Sequence, residues 1–397
     1  MRLLFISFYF PPDLCAGSFR AGALINELPG HLGKGDEIDV ITTYPNRYAS
    51  YFADAPDKED NGLVRIRRIG VPLHRSGMLD QSIAYAKFAL GTWREVGRRR
   101  YDLVIATTSR LMTGILGAVI ARKMGAPLYL DIRDIFTDTM EDVLSGRLAG
   151  GMLPAFRWME RYALQYASRI NLVSEGFYSY FEKIVERRKL VFFPNGIDEE
   201  FLLYDFRKMN SESIPIVLYA GNIGAGQGLH RIIPAAAKHL ENECRFLIVG
   251  DGGMRQRLVE DLRKTGVKNV QLINPVSRTR LLQLYSQSDY LLLHLNDYKA
   301  FQRVLPSKIF EYAATGKPVL AGVDGYPRKF ILENIEHAAV FNPCDVKGFV
   351  RALRDLSPDM VDRGKFVLKY RRKVIMHTLA EDIISIALKP GYIEKPL

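Results

Sequence analysis

Residues 305–322, "LPSKIFEYAATGKPVLAG", place a proline, a serine and a lysine at the start of a helical pattern. Glu311 follows one turn on, and Gly-Lys-Pro then leads into a short apolar strand. Pro306 suits a first helical turn, where its missing N–H costs nothing. Ser307 and Lys308 offer amides and an ammonium to an anion, and Glu311 shares roughly the same helix face. A carboxylate there can accept two hydrogen bonds from a diol such as ribose. The plain alternative is a capped helix with a surface Lys–Glu pair, worth a few tenths of a kcal/mol.

Other glycine-bearing turns repeat the theme. "YAGNIGAGQGLHRI" carries Gly221, Gly224, Gly226 and Gly228 between a strand and a helix. Such a loop can wrap its amides around a pyrophosphate, or be a simple turn. It lacks the GKS or GKT ending of a nucleotide-hydrolase loop, so ATP hydrolysis is disfavoured. "IVGDGGMRQRL" sets Gly250, Asp251 and Gly252 at a strand end, where Asp251 can reach a sugar hydroxyl. In "FPPDLCAGSFRAGAL", Gly17 opens a helix after the first strand; it is not GxGxxG, so a dinucleotide site has little support. In "LDIRDIFTDTMED", Asp131, Arg133 and Asp134 stand at a strand end, suited to orienting an acceptor hydroxyl or to capping the next helix. The seven histidines show no metal-ligand spacing; His294 ends a strand, either lining a cleft or packed.

These features need a scaffold. Short apolar runs alternate with helical patterns: "RLLFISFY", "EIDVITTY", "LVRIRRI", "DLVIATT", "PLYLDI", "RINLVS" and "LVFFP" in the first half. The second half has "PIVLYAG", "CRFLIVG", "NVQLIN", "DYLLLHL", "KPVLAG" and "HAAVFN". Several are apolar throughout, as strands buried on both faces of a parallel sheet must be. Helices are expected over 17–32 and 111–124, and starting near 229, 254, 278, 306 and 328. The fold class is α/β, with two Rossmann-like, doubly wound parallel-sheet domains facing a cleft. The expected boundaries are 1–193, a turn-rich linker at 194–214, a second domain at 215–356, and a helical tail at 357–397 packing back on the first.

The chain has 397 residues and a net charge of +11, which favours an anionic partner such as a phosphorylated substrate, a lipid surface or nucleic acid. No nucleic-acid reader motif supports the last. Cys15, Cys244 and Cys344 are widely spaced, which fits a reducing cytosol and argues against a disulfide framework or zinc site. The apolar N-terminal run is short and ends in Pro-Pro, so it reads as a strand rather than a signal peptide. No run approaches the ~20 apolar residues that span a bilayer. A peripheral contact is conceivable: Tyr85, Phe88, Ala89, Trp93 and Val96 share one helical face, flanked by Lys87, Arg94 and Arg98 to Arg100. That face suits an anionic membrane, or equally the protein's own sheet.

Taken in order, "SFYFPPDLCAGSFRAGALINEL", "NLVSEG", "FPNGID", "YAGNIGAGQGL", "FLIVGDGGMRQRL" and "LPSKIFEYAATGKPVLAG" resemble the retaining nucleotide-sugar glycosyltransferases of family 4, which have the GT-B fold. The resemblance spans nearly the whole chain and is strongest to the bacterial branch building O-antigen, capsule or exopolysaccharide. It implies a UDP- or GDP-sugar donor in the second domain and a glycan or lipid-linked acceptor in the first. Glu311 would take the ribose, Ser307 and Lys308 the diphosphate, and the loop of Gly221, Asn222, Gly224 and Gln227 would close over the phosphates, with Gly250 and Asp251 beside it. Gly17 would approach the diphosphate from the first domain, and Asp131, Arg133 and Asp134 would lie near the transferred sugar. The implied catalytic groups are Lys308, Arg303 and Asp134, with no metal or cofactor; helix dipoles and cations would stabilise the leaving diphosphate. The expected location is the cytoplasm, including the cytoplasmic face of the inner membrane. Three positions depart from the family: Arg303 stands where a sugar-binding Glu is usual, and Asn222 and Gln227 replace the loop's Arg and Lys. The rival reading is a catalytically weak sugar-nucleotide-binding or scaffold subunit of a glycan assembly complex.

Overall fold

The computed structural model describes residues 1–46, 54–72, 78–97, 99–108, 111–135, 137, 147–207 and 214–388. Arg98 of the basic run, residues 208–213 of the expected linker and the tail beyond 388 lie outside them.

The chain divides into two compact units, 1–195 with 373–397, and 196–372. In the first, the strands are β1 (Arg2–Ile6), β2 (Glu37–Thr43), β3 (Lys58–Asp60), β4 (Val64–Ile69), β5 (Leu103–Thr107), β6 (Leu128–Ile132), β7 (Arg169–Leu172) and β8 (Leu190–Phe192). They form one sheet in the order β3-β4-β2-β1-β5-β6-β7-β8. All neighbours are parallel except β3 and β4. The parallel core follows from composition: β5 and β6 are mostly apolar, and every residue of both is buried, as strands covered on both faces must be. The short antiparallel β3, Lys-Glu-Asp, was not expected from the sequence because it has no apolar signal. It closes the sheet with charged side chains, which discourages further strand addition.

The first unit's helices include α1 (Ala16–Glu27), continued by a 3-10 turn Leu28–His31, α2 (Met78–Val96), α3 (Leu111–Met124), α4 (Arg147–Tyr166) and α5 (Tyr178–Phe181). The second unit holds β9 (Ile216–Ala220), β10 (Arg245–Val249), β11 (Val270–Ile273), β12 (Tyr290–His294), β13 (Val319–Gly322) and β14 (Ala338–Phe341), all parallel, in the order β11-β10-β9-β12-β13-β14. Its helices are α6 (Glu199–Leu203), α7 (Leu229–His239), α8 (Arg255–Thr265), α9 (Arg278–Gln287), α10 (Lys308–Ala314), α11 (Tyr326–Asn334), α12 (Val346–Asp355) and α13 (Gly364–Tyr370). Then α14 (Arg372–Ala387) carries the chain into the first unit, where the Asp382 carboxylate accepts from Tyr129 at 2.8 Å and pairs with Arg169 at 3.1 Å.

The expected linker at 194–214 differs from the observed division. Pro194 and Asn195 belong to the first unit and the chain from Gly196 to the second: Ile197 bridges Arg371, Asp198 pairs with Arg372 and Arg278, and Glu199 to Leu203 are helical. The charges that made it look like a polar linker are consumed by ion pairs within that unit. The amphipathic face of α2 likewise turns inward: Tyr85, Phe88 and Val96 are buried, and Phe8 packs against the first two rings. Ala89 is half-buried. Trp93 alone of that set is exposed, at 40%.

In each sheet the strand order reverses at the central strand, between β1 and β5 and between β9 and β12. Loops at the carboxyl ends beside such a reversal are where open α/β sheets bind ligands. Gly17 follows β1, and the four-glycine loop follows β9.

Candidate functional site

In the second unit, loops at the carboxyl ends of the adjacent strands β10, β9 and β12 pack together. Gly221 sits at φ +151° and donates its N–H to the Val249 carbonyl at 2.8 Å. A Cβ there would lie 2.3 Å from Lys308 Cε and 2.5 Å from Nζ, so only glycine lets the lysine lie over this turn. Gly250 is equally constrained: at φ +143°, its Cβ would stand 1.8 Å from the Gly221 carbonyl oxygen. The Ile223 N–H bonds the Asp251 carbonyl at 2.8 Å, and Asp251 Oδ1 accepts from Gly252 N–H. Asn222 Nδ2 donates to Gln227 Oε1 at 2.8 Å, and the Gly224 N–H reaches the same oxygen at 3.3 Å. The two residues at the family's Arg and Lys positions thus bond each other and shape the loop with neutral groups.

His294 ends β12 fully buried. Its Nδ1 is 2.6 Å from the Gln227 carbonyl and its Nε2 accepts the Cys344 N–H at 2.9 Å, which places the proton on Nδ1. Burial lowers its pKa to about 4, so the ring is neutral and structural. Of the two readings open from the sequence, packing is the one observed.

Lys308 begins α10 and is partly buried. Burial pushes its ammonium down, Glu311 opposes this, and Arg278 adds to it. Among the described residues no hydrogen bond or ion pair reaches Nζ. Ser307 precedes it in helical geometry and makes no side-chain cap. Glu311 is 7% exposed; its Oε1 accepts from Arg278 Nη1 at 3.2 Å and its Oε2 from the Tyr285 hydroxyl at 3.2 Å. Burial raises its pKa, but Arg278 and Lys308 outweigh that and hold the carboxyl below the usual range. Each oxygen keeps acceptor capacity. Arg278 also pairs with Asp198 at 2.6 Å and with Glu200, and its guanidinium lies over the Phe201 ring. Arg303 caps the 3-10 turn Lys299–Gln302 and is partly buried. Arg278, Tyr285 and Asp198 were missed from the sequence. Arg278 and Tyr285 lie outside any glycine turn, their local signal being the Ser277 cap that starts α9, and Asp198 ends the "FPNGID" stretch without a role assigned to it.

In the first unit, Asp131 in β6 is 3% exposed and its oxygens are occupied. Arg20 Nε and Nη2 each approach it at 3.0 Å, Asn171 Nδ2 at 2.6 Å and Thr107 Oγ1 at 3.3 Å. Burial pushes its carboxyl up, yet Arg20 keeps it lowered and charged. Arg20 further donates to the Pro194 and Phe193 carbonyls at 2.7 and 3.0 Å. The expectation that Asp131 orients an acceptor therefore gives way: it clamps α1 and the chain at 193–194 to the sheet.

Arg133 is different. It is 8% exposed, reaches Asn195 Oδ1 at only 3.4 Å, and buries Nη1 with no partner among the described residues. Burial lowers its pKa while Asp131 opposes the shift. It lies within electrostatic reach of Cys15, the N-cap of α1, whose second residue is the buried Gly17. Asp134 is exposed.

These two units, each a parallel sheet with a glycine turn at its switch point, define the GT-B class of glycosyltransferase. Residues 20–196 match the glycosyl transferase 4-like domain and residues 204–372 the glycosyl transferases group 1. The chain belongs to this glycosyltransferase family. It is 26% identical over 347 residues to the putative colanic acid biosynthesis glycosyl transferase WcaI of Escherichia coli K12, covering 82% of this chain and 84% of the relative. Among solved structures, sucrose-phosphate synthase of Thermosynechococcus elongatus superposes with TM-score 0.70 at 14% identity, covering 98% of this chain and 96% of the other. Anabaena HepE, in complex with UDP-glucose, superposes with TM-score 0.61 at 16% identity, covering 98% and 97%.

Proposed function

We propose that the protein transfers a sugar, with retention of anomeric configuration, from a UDP-sugar (or a GDP-sugar) to a glycan or lipid-linked acceptor in bacterial surface-polysaccharide synthesis. One observation carries the donor assignment: a partly buried lysine ammonium, with no hydrogen bond or ion pair among the described residues, lies over a turn where glycine takes a positive φ. Such a cation needs an anion, and a diphosphate supplies one. Glu311, held charged by Arg278 and Tyr285, accepts the ribose hydroxyls. Lys308, helped by Arg303, stabilises the departing diphosphate. The leaving phosphate serves as base for front-side attack, with no metal and no cofactor. In the first unit, the buried Nη1 of Arg133, near the start of α1 and without a partner among the described residues, meets an oxygen of the bound acceptor. Asp134 supports the acceptor. The WcaI relative favours a surface glycan as product, and HepE with UDP-glucose favours a uridine donor.

The acceptor is taken from the cytoplasmic face of the inner membrane. α2 and α4 both pack on α3; α2 exposes Ile83, Leu90 and Trp93, α4 exposes Trp158, and the Lys123 ammonium lies 3.9 Å from the Trp93 ring centre. Exposed apolar side chains among cations suit anionic lipid. Flotation with anionic liposomes at low salt checks this, and no association there rejects it.

The deciding assay is a donor panel with a lipid-linked acceptor, read by mass spectrometry, with anomeric configuration followed by NMR. Transfer that falls on the order of 10²-fold or more in Lys308→Ala supports the role; turnover within about twofold of wild type removes it. The neutral Asn222–Gln227 pair favours one second reading, a sugar-nucleotide-binding scaffold subunit. Calorimetric UDP binding with no transfer or donor hydrolysis across the panel would establish that instead.

A further inference from the structure

Away from both sites, three side chains converge on one face of the first unit. Glu27 ends α1, His31 ends the 3-10 turn after it, and His377 lies in α14. Glu27 Oε1 is 2.8 Å from His377 Nδ1 and 3.6 Å from His31 Nε2. The imidazole centroids are 4.7 Å apart. One ligand atom from each residue lies within 4.8 Å of the other two. Glu381, one helical turn beyond His377, brings a second carboxylate oxygen to 3.6 Å from His377 Nε2. The site is half-sheltered: the side chains of His31 and Glu27 are 15% and 22% exposed, and that of His377 is 54% exposed.

We propose that Glu27, His31 and His377 form a binding site for a divalent transition metal of the zinc type, which fastens α14 to α1. Two imidazoles and a carboxylate are a common borderline donor set for zinc, and a water completes four-coordination, while Glu381 faces the other ring nitrogen of His377. A tetrahedral ion with bonds of about 2.0–2.2 Å holds its ligand atoms about 3.3–3.6 Å apart. The separations seen here bracket that value, so side-chain shifts of about 1 Å would close the shell. His31 and Glu27 share one helical stretch at i, i+4, whereas His377 arrives from the far end of the chain, 350 residues from Glu27. A bound ion would therefore link the first helix to the last within this unit and bias the unit toward its folded state. The site is separate from the donor chemistry, which needs no metal under the reading above.

The test uses the full-length protein and metal salts alone. Calorimetry with Zn²⁺ and the visible spectrum with Co²⁺ report binding and geometry; thermal melts with and without Zn²⁺ report coupling to folding. The expected result is a one-to-one Zn²⁺ site with a tetrahedral Co²⁺ spectrum, a Zn²⁺-dependent rise in Tm, and no such rise with Mg²⁺. His31→Gln and His377→Gln should each weaken Zn²⁺ at least about tenfold, the scale of losing one ligand interaction. Lys308→Ala should leave Zn²⁺ affinity unchanged. His377 is half-exposed, so its replacement leaves the fold intact, checked by circular dichroism. Absence of stoichiometric Zn²⁺ binding, or affinity undiminished in the His31→Gln/His377→Gln double variant, overturns the proposal.

Discussion

The two units meet the same physical problem, a buried carboxylate near the carboxyl edge of a parallel sheet, and solve it differently. In the first, Asp131 is saturated by Arg20, Asn171 and Thr107, and Arg20 spends its other nitrogens on carbonyls. In the second, Glu311 has one donor on each oxygen, and beside it the Lys308 ammonium has no acceptor among the described residues. Both carboxylates are buried and charged; the Arg20–Asp131 pair is saturated, whereas Lys308 beside Glu311, like Arg133 Nη1 in the first unit, keeps hydrogen-bonding capacity among the described residues. A saturated ion pair holds a fold together, while an unsatisfied cation beside a held carboxylate is equipped to take a ligand.

The comparison can be broken from either side. The largest effect should come from Arg20→Ala, which strands a buried Asp131 and should cost about 3–5 kcal/mol of stability. Denaturant melts check this, and a loss below about 1 kcal/mol would show that the first cluster is not structural. Lys308→Ala should do the opposite, lowering turnover on the order of 10²-fold while the melting midpoint stays put.

Acid should act on the second unit through His294. Its folded pKa of about 4 lies below its unfolded value of 6.5, so the unfolded state binds the proton first. The stabilisation is complete above pH 6.5 and is lost as pH falls toward 4, by about 3 kcal/mol at about 1.4 kcal/mol per unit. His294→Asn should flatten that part of a stability–pH profile.

A smaller effect sharpens the donor side. Arg278 is the main force lowering Glu311, so Arg278→Gln should move the acid limb of UDP binding upward in pH. The alkaline limb, set by the lowered Lys308, should lie below 10.5 in the wild type and also move upward, because Arg278 contributes to that lowering. Titration calorimetry across pH separates the two limbs.

Central strands such as β5 and β6 were legible because a strand buried on both faces must be apolar along most of its length, whereas the half-buried β4 showed only as apolar residues among arginines. The glycine turns were legible for a similar reason: a close backbone approach admits no Cβ, so Gly221 and Gly250 mark themselves. Lys308 and Glu311 could be read as neighbours from helical spacing alone. The inward face of α2 could not, because an amphipathic stripe looks the same whether it meets a sheet or a lipid.

The order of strands, helices and phosphate-type turns was thus written locally, in hydrophobic runs and glycines whose effects extend only a few residues. Which charges remain available was decided by the tertiary structure alone. Arg20 reaches Asp131 across 111 residues, Arg278 reaches Glu311 across 33, and Glu27 meets His377 across 350. A side chain's chemistry depends on the donors and acceptors within about 3 Å of it, and packing selects those partners from anywhere in the chain.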